Sequence, residues 1–248
     1  MWHLAAATGL TRIELQAILE RLRLRESRRR GRRWSQPLSR RLLVVCVTLR
    51  TNLTVRELAA VFAISKSQAH RIVTDLVPKI AILLPSTVDA DRRWTWILDG
   101  TLVPTRDHWA AAKSKNYRWS CNAQLLVRRD DRSVIAVAAG GPGNRNDRIH
   151  YRGSVIEAMC QQHRRVLADG GYRGIAELVT PRFRANRIVR DAAWTRHRDR
   201  RAPVEHTIAR LKDWRVLRDH RRRGRHLPHT IGAVAFLYNL CLKMRDIS

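Results

Sequence analysis

The hydrophobic pattern changes period partway along this chain, and that change limits the fold more than any single motif. Up to about Pro85 apolar residues recur at helical spacing, as at Leu15, Ile18, Leu19 and Leu22. A basic stretch at 28–33 separates this helix from the next apolar run, 42–49. From about Arg92 the period becomes two: Trp94, Trp96 and Leu98 alternate, and the short runs 125–127 and 134–137 flank Asp130, Asp131 and Arg132 as an antiparallel hairpin. After a loop at 140–143 come a helix around 154–162, a strand at 165–168, and helices from about Ala202 onward. The pattern predicts an all-α unit over residues 1–88, followed by an α/β unit over 89–248 with a mixed sheet and flanking helices.

Charge narrows the partner. Lys plus Arg number 49 against 21 Asp plus Glu, a net charge of +28 over 248 residues. A hydrophobic fraction of 44% still provides a core, so the chain is not simply a basic tail. A folded surface this positive suits a polyanion, with nucleic acid as the leading class. A genome rich in G and C would favour Arg over Lys, but would not by itself remove acids. The four cysteines, Cys46, Cys121, Cys160 and Cys241, form no C-x-x-C pair, which argues against a zinc ribbon or disulfide framework and suits a reducing cytosol. The longest apolar stretch, 231–242, is short of the ~20 residues of a membrane span and is interrupted by Gly232, Tyr238 and Asn239. No basic start followed by an apolar run opens the chain, so the expected location is cytoplasmic, without membrane association.

Residues 54–65 have the pattern of a helix-turn-helix. Thr54 can cap a helix, with Glu57 completing a capping box. Leu58 and Val61 are expected to face inward, Ile64 to fill the turn, and Ser65 to cap a second helix. That helix carries Lys66, Ser67, Gln68, His70 and Arg71 near its start, then Ile72, Val73 and Leu76 toward the core. Short polar and basic side chains there are what reading a DNA major groove requires. A generic helical hairpin would share much of this pattern, and the charge favours the DNA-binding reading.

Acids are scarce, so their settings matter. Asp99 is expected to end the strand beginning at Trp94, followed by Gly100; Asp169 ends the strand 165–168, followed by Gly170 and Gly171. Either alone reads as Asp-Gly turn chemistry. Glu205 changes the reading, on a helix expected to start near Arg201 with Pro203 in its first turn. Two strand-end aspartates and a helix-borne glutamate can converge on two Mg²⁺ ions, with Mn²⁺ as a substitute, about 4 Å apart for phosphoryl transfer.

The run 97–101 (Ile-Leu-Asp-Gly-Thr), the run 167–172 (Leu-Ala-Asp-Gly-Gly-Tyr), and Arg201, Glu205 and Lys212 at signature spacing resemble the DDE transposases of bacterial insertion sequences. They resemble in particular the group with an N-terminal helix-turn-helix and a tyrosine–arginine–glutamate–lysine signature. Arg198 stands where that signature has its tyrosine. The resemblance implies an RNase H-like fold whose first and fourth strands bring the aspartates together. It also implies cleavage at element ends and strand transfer into target DNA, by a homodimer or larger assembly on double-stranded DNA. The interval from Asp169 to Glu205 leaves no room for the large β insertion of some relatives.

Within that frame Arg201 can pair with Glu205 at i,i+4, and Lys212 suits a phosphate beside the scissile one. Asp147 is an accessory acid or the cap of the next helix. Trp109, Lys113, Lys115, Tyr117 and Trp119 could clamp a frayed DNA end, or Trp119 could be core. Arg218, Arg221, Arg222, Arg223 and Arg225 form a run dense enough to repel itself unless phosphate neutralises it, and read as a DNA-backbone contact. Two other classes compete: a helix-turn-helix repressor or domesticated copy without catalysis, and an RNase H-like nuclease that does not join.

Overall fold

The computed structural model describes residues 7–25, 34–84, 94–113, 118–163 and 165–245. The basic stretch 28–33, Lys115 and Tyr117, and the expected unit boundary at 88/89 lie outside the described residues.

Among the described residues, helices α1 (Arg12–Arg23), α2 (Leu38–Thr51), α3 (Val55–Phe62) and α4 (Lys66–Ala81) precede the sheet. The capping box forms as its spacing dictates. Thr54 Oγ1 accepts from the Glu57 N–H, and the Glu57 carboxylate accepts from the Thr54 N–H at 2.6 Å. Ser65 caps α4 by accepting from the Gln68 N–H at 3.1 Å. One expectation fails here. Val61 is 57% exposed, and the inward positions of α3 are Leu58 and Phe62, an i,i+4 pair that leaves Val61 off the buried stripe of so short a helix. Ala63 ends α3 at φ 48, a left-handed conformation in which a Cβ is strained. Ala63→Gly is therefore expected to stabilise the protein by up to about 1 kcal/mol, read as a shift in the urea midpoint.

Then comes the sheet. Its strands are β1 (Trp96–Pro104), β2 (Ala112–Lys113), β3 (Trp119–Arg128), β4 (Val134–Pro142), β5 (Val166–Leu167) and β6 (Leu178–Val179). β1 is central, antiparallel to β3 and parallel to β5; β4 and β2 pair with β3, and β6 extends the other edge. Two short helices, α5 (Asp147–Tyr151) and α6 (Val155–Gln161), connect β4 to β5. After β6 come a two-stranded hairpin, β7 (Phe183–Arg184) and β8 (Arg187–Ile188), and two long helices, α7 (Ala192–Leu211) and α8 (Leu227–Arg245). N-terminal helices followed by a mixed sheet with flanking helices make this an α/β, RNase H-like fold.

Pleating divides the sheet into two faces. Ile97, Val103, Ala123, Leu125 and Val127 face a core that runs on through α7 and α8 into the N-terminal helices. Trp96, Leu98 and Leu126 face a second core with α6, Tyr151 and Tyr172. Helix α8 is apolar almost all round because it is enclosed by α4 on one side and β4 on the other. At Gly232 an added Cβ would lie 3.2 Å from the Ala81 Cβ, so glycine lets the two helices approach. Asn239 behaves like a strand neighbour within α8: its Oδ1 accepts from the Val134 N–H at 2.8 Å and its Nδ2 donates to the Val134 carbonyl at 2.7 Å.

Between α7 and α8 the chain fastens both parts together. Asn52 of α2 donates to the Asp219 carbonyl at 2.8 Å, and the His220 N–H donates to the Pro104 carbonyl at 2.7 Å. His220 is fully buried, with Nε2 3.3 Å from Thr230 Oγ1 and Nδ1 without a hydrogen-bond partner among the described residues. Burial, with Arg222 and His226 nearby, pushes its pKa down to about 4. The unfolded chain takes up this proton near pH 6.5 and the folded chain only near 4. The contribution to stability is complete above pH 6.5 and is lost as the pH falls toward 4, up to about 3 kcal/mol. Acid unfolding should accordingly begin below pH 6.5, and His220→Gln should flatten the pH dependence of the urea midpoint in that window.

Candidate active site

The site grows from strand register. Ile97 pairs with Leu167 across the parallel β1–β5 ladder, and strands so paired lie about 4.8 Å apart. Two residues on, Asp99 and Asp169 lie near enough for the Asp169 charge to act on the Asp99 carboxyl. Asp99 does not end its strand, as the Asp-Gly pair suggests; β1 runs five residues further, to Pro104. The glycine serves a tertiary purpose instead. A Cβ on Gly100 would lie 2.5 Å from Asp147 Oδ1, so Gly100 is the floor on which the Asp147 carboxylate rests. Asp169 follows β5 and caps a short 3₁₀ turn, accepting from the Gly171 N–H at 2.9 Å.

Asp147 is not a helix cap: Asn146 caps α5, accepting from the Arg148 N–H at 3.0 Å. This frees the Asp147 carboxylate to accept from Asn122 Nδ2. Gln124 Nε2 donates to the Asp147 carbonyl at 2.6 Å and to the Tyr172 hydroxyl at 3.0 Å. Burial raises the Asp147 pKa, with Asp169 adding to the rise. Burial likewise pushes Asp99 up to about 6; Arg201 opposes this, and Asp169 and Asp147 add to it. Buried Tyr172 has its phenol driven upward by burial and by the fields of Asp147, Asp99 and Asp169 together. Three aspartates thus share one neighbourhood above a neutral phenol.

Helix α7 supplies the cation. Its start is Asp191, which caps by accepting from the Trp194 N–H at 2.8 Å, so Arg201 and Pro203 lie mid-helix rather than in a first turn. The guanidinium of Arg201 pairs with Asp99 at 3.3 Å, not with Glu205; the two side chains are 11% and 17% exposed. Glu205 is exposed, one turn along the helix, and is not among the groups acting on Asp99. Lys212 closes α7 in a small cleft with Thr101, Val103 and Ile208, its pKa lowered by burial and by Arg218. His197 Nε2 donates to the Ala168 carbonyl at 2.9 Å and pins α7 beside Asp169.

Among the described residues no three His, Cys, Asp or Glu side chains converge closely enough to hold a metal ion as they stand. The donor set nevertheless suits a hard divalent cation. Asp99 and Asp169 lie together with Asp147 close by, and in this neighbourhood burial and mutual repulsion disfavour the charged form of Asp99 with Arg201 opposing them.

Sequence reasoning missed Asn122, Gln124 and His197, and gave Tyr172, quoted in the run 167–172, no role of its own. A signal existed for the first two: Ser120, Asn122 and Gln124 put polar residues at period two on one buried face of β3.

The proposed DNA contacts form a second region. Lys66, Ser67, His70 and Arg71 are exposed at the start of α4, while Gln68 donates to Ser35 Oγ at 2.6 Å. A groove of about 640 Å³ separates α4 from the arginine segment. Arg223 and Arg225 are exposed on its rim, Arg221 pairs with Asp219 at 3.2 Å, and Arg222 donates to Thr74 Oγ1 at 3.1 Å. Arg218 pairs with Asp213 at 3.1 Å. Trp119 stacks on His108 with ring centroids 4.4 Å apart, and Trp109 is fully exposed.

An RNase H-like sheet with one aspartate on a central strand and another just past its parallel neighbour, joined to a helix-turn-helix, defines a class of DNA-processing protein. The family described as "Transposase DDE domain" matches residues 91–240, and "Helix-turn-helix of DDE superfamily endonuclease" matches 37–86. The chain is 42% identical over 219 residues to the protein of Streptomyces albus G named "Putative transposase for insertion sequence element IS112", covering 86% of this chain and 84% of that one. The chain belongs to the DDE-superfamily transposases of insertion sequences. It therefore carries a DNA-binding helix-turn-helix ahead of its transposase domain. Among the described residues no helix is long and apolar enough to cross a membrane.

Proposed function

We propose that this transposase cuts DNA at the ends of its element and joins the freed 3′ hydroxyl to target DNA, using divalent metal held by Asp99 and Asp169, with Glu205 as the third ligand. The observation that supports this reading is the shared neighbourhood of Asp99, on β1, and Asp169, just past the adjacent parallel strand β5, with Arg201 paired to Asp99. In the first step water attacks the phosphorus, the bond to the 3′ oxygen breaks, and that oxygen leaves as a hydroxyl once protonated. In the second the 3′ hydroxyl attacks a target phosphate and displaces its 3′ oxygen in turn. When bound, Mg²⁺ or Mn²⁺ supplies Lewis-acid stabilisation of the charge building on the phosphate oxygens.

The chain's own groups do the positioning. Arg201 keeps Asp99 oriented and partly neutralised. Asn122 and Gln124 hold Asp147 against Gly100, where it adds negative potential that attracts a cation. Lys212 takes a phosphate next to the scissile one. Lys66, Ser67, Gln68, His70 and Arg71 read the end sequence, while Arg221, Arg222, Arg223 and Arg225 follow the backbone. Residues 1–88 act as the reader and 89–248 as the catalytic unit, in a dimer or larger assembly that holds two ends together.

The test is incubation of the purified protein and Mg²⁺ with duplexes carrying the DNA that borders its gene. Nicks ending in 3′ hydroxyls, followed by joined products, are expected. Tight binding with no nick would return the protein to a DNA-binding role, and nicks without joining to a nuclease.

A further inference from the structure

The interval between Asp169 and α7 holds a feature that the sequence pattern did not announce. The β7–β8 hairpin turns through Ala185 and Asn186, at φ 47 and φ 61, a two-residue turn with both centres left-handed. Phe183 lies opposite Ile188, and this apolar pair rests on Gly170. A Cβ there would be 3.0 Å from Phe183 Cζ and 3.2 Å from Ile188 Cδ1. The hairpin is thus seated on the residue that immediately follows Asp169.

Successive strand residues face opposite ways, so the next pair, Arg184 and Arg187, stands directly opposed on the outer face, and both are exposed. Like charges in that position destabilise a hairpin. Among the described residues neither arginine has a carboxylate partner, since the adjacent Asp191 is taken by Arg182. A third guanidinium belongs to the group: Arg173 donates to Asn186 Oδ1 at 3.0 Å and lies 4.6 Å from the Phe183 ring centroid. Ala185 adds the strain of an L residue at positive φ. A two-stranded hairpin is marginal by itself, and this one sets two unneutralised cations against each other. An anion between them removes the repulsion.

We infer that the hairpin at 183–188 is a phosphate clamp, gripping the DNA strand within a few nucleotides of the bond addressed by Asp99 and Asp169. The location of that bond rests on the function proposed above, whereas the clamp itself is a binding property and is tested without catalysis.

The experiment measures affinity for a mixed-sequence duplex of about 30 base pairs against salt concentration, in the absence of divalent metal, for the wild type and an Arg184→Ala, Arg187→Ala double variant. The log–log salt slope should fall by about 2, one unit for each phosphate no longer gripped, with a 10- to 100-fold drop in affinity at low salt. Ala185→Gly, which relieves the turn and keeps both charges, should retain the wild-type slope and so reports on hairpin integrity. Amide hydrogen exchange at 183–188 should slow when the duplex is added. An unchanged slope in the double variant, or exchange indifferent to DNA, overturns the clamp. Because the slopes are measured without divalent metal and without cleavage, a failure of the catalytic reading would leave this result standing, and the reverse.

Discussion

Asp99→Asn and Asp169→Asn should each lower strand cleavage at least about 1,000-fold, equivalent to some 4 kcal/mol of transition-state stabilisation, while changing DNA affinity less than about threefold. Asparagine is the informative replacement at position 99. Alanine would also leave the largely buried Arg201 without its 3.3 Å partner and so mix instability into the result. The measurement is single-turnover nicking of an end-bearing duplex, beside binding of the same duplex without metal. Retained nicking in either variant would remove the paired aspartates from the chemistry. The companion comparison is Glu205→Gln against Asp147→Asn. Asp147 acts on Asp99, whereas Glu205, one helical turn beyond Arg201, does not, so a loss confined to Asp147→Asn would transfer the third-ligand role to the β3-held acid.

The second large effect concerns stability. Trp96 is fully buried at the start of β1, stacked on His163 with ring centroids 3.8 Å apart and paired across to Val166. Trp96→Ala should cost about 3–5 kcal/mol, because the smaller side chain leaves a cavity beneath the two strands that carry the aspartates. Against a total stability of about 5–15 kcal/mol, that leaves a marginal protein. The urea midpoint reads the loss directly. Trp96→Phe should recover more than half of it, since the ring fills most of the same volume, and a loss under about 1 kcal/mol for alanine would show the site to be plastic.

Features set by neighbours in sequence are legible, and those set by distant partners are not. The Thr54–Glu57 box and the Ser65 cap involve residues three apart, so their hydrogen bonds follow from spacing alone. The helix-turn-helix and the hairpin around Asp131 can be placed for the same reason. Asp99 reads as a strand end because Asp-Gly is usually a turn, whereas Gly100 is small to admit Asp147 from 47 residues away. Pro203 reads as a helix start because proline lacks an N–H; here α7 has already run from its Asp191 cap and absorbs the missing bond on an exposed stretch. The β7–β8 hairpin escapes notice because Ala-Asn is a poor match to the Asn-Gly that such turns prefer. The partnership of Arg201 with Asp99 rather than Glu205 cannot be read from spacing, since the packing of α7 against β1 determines it.

Helix α8 is wedged between α4 and β4, and Asn239 ties it to β4 by two hydrogen bonds. The second helix of the helix-turn-helix and the sheet that bears the carboxylates are consequently bolted to the same beam. Under the function proposed above, a protein built this way is a ruler: the separation between the letters read and the bond cut is set by the protein frame.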